Sequence, residues 1–392
     1  MTMRYRLLCL CLTMILQALC LTVVARAQEA PALAFPTKAK QVYMVEAKTG
    51  TVLLASNENQ SFAAASLAKL MTMEVVFDAL KRGDVTPDTL FPVSEHAWRS
   101  GGAPSGTTTM FAALKSQIRV DDLIKGVIVQ NANDGCIILA EGLSGSEGEF
   151  AARMTARAKD LGLSRSVFGN STGLPGAESR TTARDLVELA RHTYRNHPEF
   201  YPIYSQPDFE WNKIFQRNKN PLLSLNMGID GLGAGFAEGS GFAFVASAER
   251  DGTRLFLAMG GLASDKERLD EARRVLEWGL SSFETKVLFK RGEVVGQASV
   301  YGGSARHVDL VATEPVDIYL ATKNPERLTG RIVYRWPLRA PVAEGQEVGT
   351  LRIFSGDKLV REVPLVTAST VATGSLASRA TDALLELMFF WL

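Results

Sequence analysis

Hydrophobic positions fall along this chain either in short continuous runs or at helical spacing. The apolar runs within 41–46 and 51–55 read as two strands around a turn at Lys48-Thr49-Gly50. Residues 66–81 instead place Leu67, Leu70, Met71, Val75 and Leu80 at helical spacing, which predicts a helix with one buried face. Helical periodicity returns over 120–143, 148–162 and 182–192, the last opened by Thr181-Thr182-Ala183-Arg184-Asp185. Two further strands are predicted at 241–248 and 254–259, turned by Arg250-Asp251-Gly252. An amphipathic helix over 265–283, through Leu269, Ala272, Leu276 and Leu280, closes the unit. Strands at both ends with helices between them imply an α/β or α+β fold whose sheet joins distant parts of the chain.

From residue 284 the pattern changes to short β-rich runs, 294–301, 307–311, 316–320, 330–334, 347–353 and 359–365, divided by Gly, Pro and Asn turns. That spacing predicts a small all-β domain over 284–366, with no chemistry-bearing cluster, serving as a spacer or binding module. Residues 367–375 read as a polar linker. Residues 376–392 then put Arg379, Asp382 and Glu386 on one helical face and Leu376, Ala380, Leu384, Leu387, Met388 and Trp391 on the other. Such a helix is too short and too charged to span a bilayer but suits its interface, where Phe389, Phe390 and Trp391 fit the headgroup boundary. Docking on the β domain is the alternative. The polar face carries two acids and one Arg, so membrane attraction would come from apolar burial and not from anionic lipid.

The first 27 residues have a basic start (Arg4, Arg6), an apolar run over 7–24 and an Ala25-Arg26-Ala27 end. This is the pattern of a secretory signal peptide cleaved after Ala27, with a retained membrane anchor as the competing reading. Domain boundaries are therefore expected at 1–27, 28–283, 284–366, 367–375 and 376–392. Cys9, Cys11 and Cys20 leave with the signal, so the mature chain keeps only Cys136 and forms no internal disulfide. Cys136 lies in an apolar run and reads as a buried small hydrophobe. The four His are scattered without a metal-ligand ladder, and no cofactor is implied. A balance of 43 Lys+Arg against 42 Asp+Glu gives no electrostatic case for nucleic-acid binding.

Ser66-Leu67-Ala68-Lys69 opens the first long helix. Three positions apart on a helix, Ser and Lys share a face. A desolvated, neutral Lys can act as the base that a nucleophilic Ser needs, and a helix N-terminus offers N–H groups and positive potential to an oxyanion. Alone, this motif is common by chance.

The chain resembles the penicillin-interacting serine D-Ala-D-Ala carboxypeptidases, the low-molecular-mass penicillin-binding proteins. Residues 65–72 match the S-x-x-K helix, and Asn131-Ala132-Asn133 stands at the S-x-N loop. Asn170-Ser171-Thr172-Gly173-Leu174-Pro175 and the stretches 181–186, 216–223 and 231–248 also match. The resemblance implies a penicillin-binding, β-lactamase-like transpeptidase domain acting on peptidoglycan stem peptides, with β-lactams as covalent inhibitors. It makes Ser66 the acyl-enzyme nucleophile and Lys69 its base, with an oxyanion hole from the N–H groups of Ser66 and Phe236. Asn133 would orient Lys69 and hold the substrate amide, and Arg268 would receive the terminal carboxylate. Export to the periplasm and peripheral attachment to the outer face of the cytoplasmic membrane fit the same reading.

Two positions depart from the family pattern. Asn131 replaces the S-x-N serine and cannot relay a proton as a hydroxyl does. The K-T-G strand here reads Gly233-Ala234-Gly235, which removes a cation and a hydroxyl from the carboxylate site and leaves Lys69 with a higher pKa than a cationic neighbour would. Lys48-Thr49-Gly50 spells K-T-G but lies before the S-x-x-K motif, at a hairpin turn. The resulting expectation is a serine carboxypeptidase of reduced activity. A non-catalytic binder of muropeptides or of a wall-synthesis partner is the rival. A β-lactamase would need a deacylation device, and no S-D-N motif accompanies one.

Overall fold

The computed structural model describes residues 35–376, 379 and 380, apart from 177, 324–326 and 357. The predicted signal and nearly all of the predicted C-terminal amphipathic helix lie outside the described residues. Five strands, β1 (Gln41–Glu46), β2 (Val52–Ser56), β3 (Ile229–Ala237), β4 (Gly241–Arg250) and β5 (Thr253–Leu262), form an antiparallel sheet ordered β2-β1-β5-β4-β3. The two ends of the domain meet at its centre, where Val42, Tyr43 and Met44 lie opposite Met259, Ala258 and Leu257.

Alternation along β1 divides the core in two. Tyr43 and Val45 face a cluster built on α1 (Ala68–Arg82), α2 (Val120–Gln130), α3 (Asn133–Ser144), α4 (Glu147–Asp160) and α5 (Ala183–Asn196). Val42 and Met44 face the other way, onto Ala272, Val275 and Leu276 of α6 (Asp265–Ser281).

Three predicted elements differ in detail. The single helix expected over 120–143 is divided: Asn131 takes a left-handed conformation (φ 60°, ψ 34°) and caps α2, Ala132 is extended, and α3 starts afresh. The sixth helix stops at Ser281, and Phe283 opens a strand whose ring stacks on Tyr319 at 5.4 Å. The first helix is buried on every side from Ala68 to Phe77, not on one face.

That burial takes Glu74 out of water entirely. Arg157 donates to its Oε1 from Nε (3.0 Å) and Nη2 (2.7 Å), and the Nε2 atoms of His192 and His197 lie 3.2 and 3.1 Å from its two oxygens. Burial alone would raise the Glu74 pKa. The bonds from His192, His197 and Arg157 outweigh it and hold the carboxyl well below the usual range. The donor atoms of Glu74, His192 and His197 lie within 4.8 Å of one another, a convergence that their sequence spacing hides. Arg157 supplies the neutralising cation there.

The second domain comprises β6 (Phe283–Phe289), β7 (Val294–Tyr301), β8 (His307–Ala312), β9 (Val316–Ala321), β10 (Leu328–Tyr334), β11 (Glu347–Ser355) and β12 (Lys358–Thr367). Strands β6 and β9 pair, and a second sheet runs β10-β11-β12-β8-β7 before the short strand Leu338–Arg339. Bridges from Val371 to Val342 and from Thr373 to Gly303 tie residues 371 and 373, within the predicted linker, to this domain. Lys48 ion-pairs with Asp317 across the two domains, and the Tyr319 hydroxyl donates to the Gly279 carbonyl at 3.0 Å. Lys48-Thr49-Gly50 is thus a turn: Gly50 has φ +71°, and the Glu46 carboxylate accepts from the backbone of Lys48 (2.8 Å) and Thr49 (2.6 Å).

Replacing Glu74 with Gln removes the buried partner of Arg157, leaving it Asp78 at 3.5 Å, and should cost about 1–3 kcal/mol at pH 7, read from urea unfolding. The carboxyl is depressed in the fold, so its contribution is complete above the unfolded value of about 4.3 and fades as the pH falls below it. The gap between wild type and variant should therefore narrow in acid.

Candidate active site

Ser66 lies in a single 3₁₀ turn, Ala65–Leu67, that runs directly into α1 and puts Lys69 in the first α-helical turn. The Lys69 Nζ is 3.4 Å from Ser66 Oγ and donates to the Thr172 carbonyl at 2.9 Å. Lys69 is 6% exposed, and burial pushes its pKa down, favouring the neutral amine. The pairing expected from the S-x-x-K spacing is therefore formed, with Thr172 as an additional anchor.

Asn131 Nδ2 donates to Ser66 Oγ at 3.4 Å. Its left-handed backbone is a conformation that Asn tolerates far better than most residues, and this gives a physical reason for Asn at the position where the family pattern has Ser. Asn133 is buried, with Nδ2 donating to Thr107 Oγ1 at 3.0 Å and Oδ1 lacking a hydrogen-bond partner. The hydrogen bonds of Lys69 go to Ser66 and Thr172, and among the described residues none joins it to Asn133. The neighbouring Asp134 carboxylate accepts from Thr109 Oγ1 (2.5 Å) and from the Met110 and Ala112 amides (3.0 Å each), fixing the loop beside the site.

The third strand closes the other side. A Cβ on Gly235 would lie 3.3 Å from the Ser66 amide nitrogen, which measures how near this strand runs to the turn. Gly173 is tighter still: its φ is +75°, and a Cβ there would come within 1.7 Å of the Ala65 carbonyl oxygen. Ala65 itself has φ 47°, a conformation uncommon for a residue with a side chain. Between these walls is a cavity of about 50 Å³ lined by Ser66, Lys69, Asn131, Lys219, Gly233 and Ala234, among others.

Arg268 and Phe236 lie at the edge of this arrangement. Arg268 is 8% exposed, ion-pairs with Asp265 and stacks its guanidinium 5.4 Å from the Phe242 ring centroid. Phe242 in turn packs on Phe236 at 4.5 Å, and Phe236 is exposed. Neither Arg268 nor Phe236 lines the cavity. Thr172, Gly173, Lys219 and Asn220 do not stand out by residue type. Their only sequence signal is their place in the matching stretches 170–175 and 216–223.

Residues 25–261 match the family model described as D-alanyl-D-alanine carboxypeptidase, and residues 283–373 match the C-terminal domain of penicillin-binding protein 5. The D-alanyl-D-alanine carboxypeptidase DacD of Salmonella typhimurium is 35% identical over 344 residues, covering 86% of this chain and 88% of its own. DacC of Escherichia coli is 33% identical over 351 residues, covering 89% of this chain and 88% of its own. Among solved structures, penicillin-binding protein 5 of Haemophilus influenzae is 31% identical with a TM-score of 0.77, covering 86% of this chain and 99% of its own. Penicillin-binding protein 6B of E. coli is 30% identical with a TM-score of 0.70, covering 87% and 99%. With both domain models matched in order and full-length relatives above 30% identity, the chain belongs to the D-alanyl-D-alanine carboxypeptidase family.

Proposed function

We propose that this chain removes the terminal D-Ala from peptidoglycan stem peptides as a serine carboxypeptidase, and that β-lactams acylate the same serine. The supporting observation is the contact between Ser66 Oγ and the buried amine of Lys69. Ser66 Oγ attacks the carbonyl of the penultimate D-Ala while its proton passes to Lys69 Nζ. The backbone N–H groups of Ser66 and Phe236 receive the developing oxyanion. Collapse of the intermediate breaks the peptide bond, and the departing D-Ala amine takes the proton from Lys69. Water then attacks the acyl ester and gives a proton to Lys69, which passes it to Ser66 Oγ as the ester C–O bond breaks, restoring free Ser66 and the neutral amine.

The Asn131 amide has no lone pair basic enough to carry a proton, so in this mechanism it holds Ser66 Oγ by donation and leaves proton transfer to Lys69. The unpaired Oδ1 of Asn133 is a ready acceptor for a substrate amide N–H. No described helix is long and apolar enough to cross a membrane. The sequence pattern of residues 1–27 and 376–392 supports an exported protein held on the outer face of the cytoplasmic membrane by its C-terminal helix.

Intact mass after incubation with benzylpenicillin should show one adduct that Ser66→Ala abolishes. No adduct after hours at high ligand would instead favour a muropeptide-binding role. The acylation rate should rise with pH as Lys69 loses its proton, with a midpoint below the ordinary lysine value of about 10.4 because burial depresses it. Lys69→Arg, charged at every working pH, should be inactive throughout the profile. Gly233→Lys combined with Ala234→Thr should raise D-Ala release at least about tenfold. The nearest atom to a Cβ at Gly233 is 3.9 Å away, so a side chain can start there without a clash. Deleting residues 376–392 should move the protein from the membrane fraction to the soluble one, and continued sedimentation would exclude this tail as the anchor.

A further inference from the structure

The reaction places a free carboxylate beside Ser66, and the side chains expected to receive it are missing or set back from the cavity. Gly233 and Ala234 stand at the Lys and Thr positions of the strand, and Arg268, whose Nε lacks a hydrogen-bond partner, is paired through Nη2 with Asp265, lies over Phe242 and does not line the cavity. The cavity wall nevertheless carries two lysines and no acidic residue. In acylation Lys69 must be neutral, so the remaining cation is Lys219.

The geometry points to Lys219, with Asn220 beside it, as the subsite that receives the substrate's terminal carboxylate in this chain. This rests on the carboxypeptidase reading above. Lys219 is exposed, and no ion pair or side-chain hydrogen bond engages it among the described residues. Its backbone is held from three directions. The Lys219 amide donates to the Val129 carbonyl at 2.8 Å, joining it to the last turn of the helix that Asn131 caps. Asn218 Nδ2 donates to the carbonyls of Tyr204 (3.2 Å) and Gln206 (2.8 Å), while its Oδ1 accepts from the Asn220 amide at 2.8 Å. Asn220 Oδ1 is used by the Leu222 amide at 3.1 Å, but its Nδ2 is buried without a partner on the cavity wall. A buried amide donor left unpaired is costly unless a ligand uses it. A mobile ammonium on a fixed backbone beside a spare donor suits a carboxylate. It would approach from the segment tied to the second helix, over the same cavity that Gly233 and Ala234 line.

The test uses the intact chain and compares acylation of Ser66 by benzylpenicillin and by its methyl ester, which lacks the negative charge. Lys219→Met should lower the ratio of free-acid to ester rate constants by about tenfold to hundredfold, the range of one charged hydrogen bond. Lys219→Arg should restore most of the ratio. Adding Gly233→Lys to Lys219→Met should rescue it as well, by returning a cation to the strand side. If Lys219→Met slows both ligands equally, or neither, the assignment is overturned while the carboxypeptidase reading stands. If the wild-type chain takes up no adduct at Ser66, both are overturned.

Discussion

A lysine amine held out of water is the constraint from which the rest of this site follows. In solvent Lys69 would be a cation and useless as a base. Enclosed on α1 with the Thr172 carbonyl as its fixed partner, it is biased toward the neutral form. Enclosing it requires the helix to be covered on all sides, which explains why the sheet has helices on this face and why the strand β3 and the 172–173 loop both press against the turn carrying Ser66. The same enclosure traps Glu74 further along the helix, where Arg157, His192 and His197 answer its charge. One charged group is thus depressed toward neutrality for chemistry and another kept ionised for structure, on a single buried helix.

The backbone bears its share of that arrangement. Ala65, Asn131 and Gly173 all have positive φ, at 47°, 60° and 75°, and they flank Ser66 from three segments far apart in sequence. At Ala65 and Asn131, which carry side chains, such conformations persist only where surrounding packing imposes them, whereas Gly173 adopts its own freely. At Asn131 the requirement also explains the side chain: a residue tolerant of the left-handed region caps the helix, and its amide falls within reach of Ser66 Oγ.

Much of this was legible in the sequence, and what was not has physical causes. Short apolar runs at 41–46 and 254–259, buried on both faces of the sheet, and helical spacing at 66–81 gave sound elements because both patterns are local consequences of burial. The strand Ile229–Ala237 carries Gly231, Gly233 and Gly235, a composition depleted in strands, so it has no propensity signal of its own. Its glycines answer to close approach instead, as the 3.3 Å from a Gly235 Cβ to Ser66 N records. Periodicity hid the break at Asn131 because both flanking segments are apolar and helical, and only the resemblance, which puts a loop there, marked it. The convergence of His192 and His197 on Glu74, and of Lys48 on Asp317, depends on contacts more than 100 residues apart, which no local period encodes.

The altered strand motif separates two kinds of catalytic contribution. Side chains at Gly233 and Ala234 could supply only charge and hydroxyl contacts, and those are gone. Register is not: Gly233, Ala234 and Gly235 still face Val245, Phe244 and Ala243 across the ladder, and Gly235 still permits the strand to lie against the Ser66 turn. An oxyanion hole made of main-chain N–H groups depends on that register and not on residue identity, so in the proposed mechanism the strand retains its larger electrostatic role. Carboxylate recognition is a side-chain task and can migrate to whichever neighbouring segment offers a cation over the same cavity. The N-K-N turn at 218–220 offers one over the cavity that Gly233 and Ala234 line, which reconciles an intact nucleophile with a strand that has no lysine.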